Sequence, residues 1–285
     1  MDAVGAQRAF APRHAVKLWN MILAASPLLT TVLSVAAALG YAGVALAQRR
    51  LGGPAARNGL TLAWLLHAAV LAASLLGNPP TFGFAPALSV TAWLVLLVYA
   101  VESHLYPQLR ARTSLLALGL LSVLLAWVFP GSAYPTVKSG WLPLHWALGI
   151  ASYGLIAAAV VHAWWMQRVE KSMRQATQPS EADIPLLAIE RLTFRFVSAG
   201  FVLLTATLLA GWWFAEHLYG KTWVWDHKTV FSVLSWAVFA VLLLGRWRLG
   251  WRGRTAARVL YAGSGLLMLA YVGSRFVMEI VLQRT

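Results

Sequence analysis

Eight stretches of this 285-residue chain are apolar for close to the length a helix needs to cross a bilayer, and that limits the fold more than any motif does. They run approximately over 27–47, 58–76, 86–105, 114–129, 143–166, 194–215, 229–245 and 256–282. A spanning helix takes about 20 mostly apolar residues, so the fourth and seventh stretches are short. In hydrocarbon every backbone polar group must be satisfied within the protein, which leaves only helices and closed barrels. No run alternates apolar and polar residues as a barrel strand does. The expected fold is all-α, a polytopic transmembrane bundle of about eight spanning helices.

Composition agrees with that reading. The chain is 60% hydrophobic and 11% charged, against roughly a quarter charged in soluble domains. Its net charge of +14 would suit a nucleic-acid binder, but the basic residues lie in short loops between apolar runs and not along one face. No nucleic-acid partner is expected; the surrounding partner is the lipid bilayer. With no cysteine, disulfides, thiolate metal sites and a cysteine nucleophile are excluded.

Loop charge gives an orientation. Of the 23 Lys and Arg residues, 15 fall around the loops after the first, third, fifth and seventh stretches, including Arg49, Arg110, Arg168, Lys171, Arg246 and Arg252. The richer side should be cytoplasmic, which puts both termini outside. The first apolar run is longer than the 7–15 residues of a signal peptide, so it reads as a retained helix after a tail over 1–26. Residues 27–285 then form a single transmembrane domain. The polar stretch 167–193, with "QATQPSEADIP", reads as a cytoplasmic linker between five helices and three.

Ionisable residues inside a membrane are functional suspects by default. His67 lies near the middle of the second stretch, where a neutral imidazole could bond a neighbouring helix or ligate haem iron. His145 sits at the outer end of the fifth stretch, within reach of a ligand at the interface. His162 follows it by 17 positions, about 25 Å along a helix, and reads as an anchor at the opposite interface. Glu102 and His104, ending the third stretch, read as solvated. His217 and His227 flank a distinctive segment and stay open as candidates.

That segment is "GKTWVWDHK", residues 220–228, near the loop over 216–229. Aromatic belts at the bilayer surface account for most of the 15 tryptophans. A belt does not account for Trp223 and Trp225 two positions apart, followed at once by Asp226 and Lys228. Indole faces can stack on a porphyrin, and Lys221 or Lys228 can pair with its propionates. The chain has no Gly-rich phosphate loop, no H-E-x-x-H and no G-x-S-x-G. Its spans hold few carboxylates, Glu279 lying near the last one's end, which weakens a proton- or cation-coupled transporter.

"WVWDHK" resembles the WxWDxK signature of the cytochrome c assembly, or haem-handling, membrane proteins of the CcsA and CcmC type. Three further stretches resemble that family in the right order: "KSGWLPLHWALGIASYG" and "RFVSAGFVLLTATLLAGWWFA" before the signature, and "GWRGR" with "LAYVGSR" after it. The chain is most similar to the short, eight-helix YpjD-type members of bacterial inner membranes.

The resemblance implies a non-covalent, b-type haem, presented at the outer face by Trp223, Trp225, Asp226 and Lys228. The iron would be held by His145 or by His67, which match the family's first outer and first intramembrane histidines. The second histidine of each pair is missing; Arg246 stands where the intramembrane partner is expected, and no histidine follows "YVGSR". The signature carries His227 where proline is usual and Thr229 where glutamate is usual. The chain is therefore expected to bind and present haem without catalysing thioether formation alone, beside other cytochrome c assembly or metal-transport membrane proteins. The alternative is an accessory or regulatory subunit of a divalent metal-ion efflux system, with the signature a structural remnant.

Overall fold

A computed structural model describes residues 27–47, 50, 53–77, 80–105, 113–133, 142–175, 186–213, 215 and 225–283. Among them are eight apolar helices: α1 (Pro27–Ala47), α2 (Gly53–Leu75), α3 (Phe84–Leu105), α4 (Thr113–Val128), α5 (Leu142–Gln175), α6 (Leu186–Trp213), α7 (His227–Leu249) and α8 (Gly253–Val281). Seven are long and apolar enough to cross a membrane, and α4, the short one, spans 16 residues. At 1.5 Å per residue α4 is about 24 Å long, less than the roughly 30 Å of hydrocarbon. The protein is a multi-pass helical membrane protein. The 34 residues of α5 make about 50 Å, so this helix runs beyond the bilayer and takes in the first third, 167–175, of the stretch expected to be a linker. Residues 1–26, the middle of that linker at 176–185, and Lys221, Trp223 and His217 lie outside the described residues.

Two cores divide the helices. Tyr41, Leu96, Leu116 and Val123 fill the space among α1 to α4, and Ile156, Val197, Phe239, Leu242 and Leu260 that among α5 to α8. Small residues admit the large ones, as expected where lipid offers no hydrophobic drive between helices. Gly119 lies under the Tyr41 ring, and Gly263 under Phe239.

Polar side chains pin the crossings. The hydroxyls of Tyr41 (α1) and Ser89 (α3) bond the two ring nitrogens of His67 (α2) at 3.2 and 2.8 Å. Trp64 and Trp93 stack at 4.6 Å, each indole N–H donating to the other's backbone carbonyl. These two are bundle residues and not belt residues, whereas Trp212, Trp213 and Trp247 are exposed as a belt requires.

Two sequence expectations are corrected here. Glu102 is buried, and so is His162, because they pair with each other: Glu102 Oε2 lies 3.0 Å from His162 Nε2, and the Ala158 carbonyl accepts from Nδ1. His162 is thus an inter-helix tie from α5 to α3 and not an interfacial anchor. Nearby in the chain, the buried Glu190 (α6) pairs with Arg246 (α7), with Arg252 Nε at 3.6 Å, and the Arg246 guanidinium lies over Phe194.

Breaking a buried pair by removing one partner strands the other in a medium of low dielectric. Glu102→Leu or His162→Phe alone is therefore expected to cost about 3 kcal/mol, and the double substitution less than the sum of the two. Thermal unfolding of the detergent-solubilised variants checks this; strict additivity would contradict the pairing.

Candidate functional site

The site is built at the bundle end where α2, α4 and α6 finish and α3, α5 and α7 begin. A two-residue strand after α2, β1 (Thr81–Phe82), pairs antiparallel with one after α4, β2 (Ser132–Ala133), with Phe82 opposite Ser132. Gly131 permits this: its φ is +82°, and any Cβ there would strike the Phe82 backbone. The pairing fixes Phe82 above the helix ends. Its ring lies 6.4 Å from Trp146 at 15° and 5.6 Å from Tyr271, so Trp146, Phe82 and Tyr271 make an aromatic row across α5, the β1–β2 pair and α8.

His145, beside Trp146 in the first turns of α5, is half-buried and hydrogen-bonds the Thr207 backbone of α6. One turn further along α5, Gly149 brings the helix within van der Waals reach of the same Thr207. The imidazole therefore stands between α5 and α6, at the end that the signature occupies.

Asp226 begins α7. Its backbone is extended, with φ −85° and ψ 171°, and Oδ1 accepts from the Thr229 N–H at 2.9 Å. It is a helix N-cap, which makes His227, Lys228 and Thr229 the first three residues of the helix. Proline suits the first of these positions and glutamate the third, where it would complete a capping box. With His227 first and Thr229 third, the helix start lacks both of those aids and rests on the Asp226 cap. Trp225, just outside the cap, is 67% exposed. Capping also aims Lys228 inward: its Nζ lies 6.0 Å from the centre of the Tyr271 ring, with the Arg275 guanidinium 5.9 Å from the same ring.

The structure thus brings His145, Asp226 and Lys228 to one end with an aromatic row between them. His67 is apart from them, fully buried among α1, α2 and α3. Phe82, Trp146, Tyr271 and Arg275 belong to the site and were not singled out as site residues from the sequence. The signal for Tyr271 and Arg275 was present in "LAYVGSR"; none marked Phe82.

This is a helical membrane protein with an imidazole, an aromatic row and two cations gathered at one end. The profile of the cytochrome c assembly protein family matches residues 57–282, and the chain belongs to that family. The Escherichia coli K12 inner membrane protein YpjD is 28% identical over 226 residues, covering 77% of this chain and 85% of the relative. The cytochrome c biogenesis protein CcsA of Gloeobacter violaceus is 25% identical over 245 residues, covering 66% of this chain and 72% of the relative. An Azospirillum brasilense protein named for the nifR3-like 5' region is 32% identical over 208 residues, with 70% and 76% covered. No solved structure matches the chain significantly. The metal-efflux alternative gains no support from these relatives. Among the described residues no three His, Cys, Asp or Glu side chains converge to hold a metal ion.

Asp226→Ala should cost about 1 kcal/mol through the lost cap, and Asp226→Asn, which can still cap, much less. Thermal unfolding of the two variants measures the difference; equal losses would show that the carboxylate's charge, and not its capping geometry, matters.

Proposed function

We propose that this protein binds haem non-covalently and presents it at the signature end of the bundle, as a haem-handling member of the cytochrome c assembly family. The observation that carries this reading is the convergence of His145, the Trp146–Phe82–Tyr271 row, Lys228 and Arg275 at one end. Each matches one need of such a ligand: a nitrogen donor for iron, apolar rings for a flat macrocycle, and cations for two carboxylates. Iron held there would supply a Lewis-acid centre and redox chemistry.

In this reading each residue has a separate task. His145 is the iron ligand, oriented by the Thr207 backbone. Trp225, exposed ahead of the helix, would offer an outer platform to the macrocycle. Asp226 is a positioning residue, since its cap sets where Lys228 enters the site. To act as a second ligand, His67 would have to surrender its bond to Tyr41 or to Ser89. The membrane is the bacterial inner membrane, as the name of the E. coli relative states for that protein, with the signature end outside and the arginine-rich loops in the cytoplasm. Other membrane proteins of cytochrome c assembly are the natural partners.

The test is the haem content of the protein purified in detergent, read from the Soret band and a pyridine haemochrome. The wild type should carry haem, and His145→Ala should lose most of it with the fold retained. Content that halves in His67→Ala would assign a second site there, while unchanged content leaves His67 to its hydrogen bonds. A haem-free wild type, prepared with haem supplied during expression, would overturn the proposal.

A further inference from the structure

Behind the two cations lies a carboxylate that the site as described does not use. Glu279 follows Arg275 by one turn of α8, and its side chain is only 9% exposed. Its Oε1 lies 3.9 Å from the Arg275 guanidinium, and its Oε2 accepts from the Phe84 N–H at 3.5 Å, at the start of α3. Charge-assisted hydrogen bonds of a settled carboxylate run at about 2.7–2.9 Å, and a buried carboxylate normally accepts several. Among the described residues Oε1 accepts none. The order is also the weaker one, because a basic residue preceding its acidic partner by four positions opposes the helix dipole. Glu279 is therefore buried beside Arg275 but held loosely.

The surrounding backbone is built around it. Gly83 leaves its place open, since a Cβ there would come within 2.7 Å of Oε2. The helix that carries Arg275 and Glu279 abandons regular α geometry on both sides of Arg275. It passes through π-helical turns at Leu269–Gly273 and Val277–Val281, with one short α-helical stretch, Ser274–Phe276, between them. Such turns are rare and concentrate at functional sites, where they re-aim side chains. Here the residues carried on them or beside them are Tyr271, Arg275 and Glu279.

We infer that Glu279 is a built-in counter-ion that holds Arg275 while the site is empty and yields it to a carboxylate of the arriving ligand. This rests on the reading of the site as one for a dicarboxylic porphyrin. Arg275 lies close enough to Lys228 for the two cations to repel each other, and Asp226 and Glu279 partly offset that repulsion. A ligand carboxylate that engages Arg275 completes a pair whose long contacts to Glu279 are cheap to give up. Glu279 thus lowers affinity for any ligand that brings its own negative charge and leaves an uncharged one unaffected.

Haemin and its dimethyl ester, titrated into the detergent-solubilised full chain, separate the outcomes. Glu279→Gln keeps the shape of the side chain and removes the competing charge, so haemin should bind about tenfold tighter while the ester is unchanged. Arg275→Gln should bind haemin more weakly, and in that background Glu279→Gln should bring no further gain. Unchanged or weaker haemin binding in Glu279→Gln, or equal gains for haemin and ester, would overturn the counter-ion role while leaving the porphyrin site standing. Failure of the wild type to bind either compound would remove both.

Discussion

Polar side chains in hydrocarbon have no water to turn to, so the places where they meet one another decide where these helices cross. His67 ties α1, α2 and α3 through two hydroxyls, either of which can donate or accept, so neutral imidazole is satisfied in either tautomer. Glu102 and His162 join α3 to α5, and Ser152 joins α5 to α6 through the Gly200 carbonyl. Tyr153 donates to the Leu267 carbonyl, and Ser235 to that of Gly263, which bring α5 and α7 onto α8. Apolar packing alone would be nearly degenerate in lipid, because hydrocarbon tails contact a leucine as well as a neighbouring helix does. These few bonds make one arrangement better than its alternatives.

The helices were legible because a bilayer imposes a length, and apolar runs of that length stand out without any knowledge of packing. Even the short fourth run proved a helix. What the sequence concealed was pairing. Glu102 and His162 are 60 positions apart, and each taken alone looked like the polar end of a span. Arg246, counted with the loop arginines and standing where the resemblance expects a second intramembrane histidine, answers the buried Glu190 from another helix. A residue's partner in space decides whether its charge is solvated or buried, and spacing along one chain says nothing of a partner two helices away.

The signature shows the same division between what is local and what is not. Its aspartate could have been assigned from sequence as a cap, since an acidic residue followed by a helix-forming run is a start signal. Capping explains why an aspartate stands at the residue where the helix begins. The aromatic row could not be assigned this way. Phe82 reaches it only because two-residue strands from different connections pair, and because Gly131 adopts a conformation that the pairing needs.

The two ends of the bundle treat their charges differently, and that contrast argues for where a ligand belongs. Near the arginine-rich loops, Glu190 is held closely by Arg246 with a second arginine behind it, and toward the same end Glu102 meets His162 at 3.0 Å. Those contacts are short and leave a frame that is already closed. At the signature end two cations share one tyrosine ring, and the Glu279 carboxylate stands 3.9 Å from Arg275. Among the described residues Glu102 Oε1 accepts no hydrogen bond either, so the contrast lies in the distance to the opposite charge, 3.0 Å for Glu102 against 3.9 Å for Glu279. The haem proposed for this end would bring two carboxylates to Lys228 and Arg275 and a flat face to the aromatic row, and Tyr271 of that row is carried on a helix that departs from regular α geometry on both sides of Arg275.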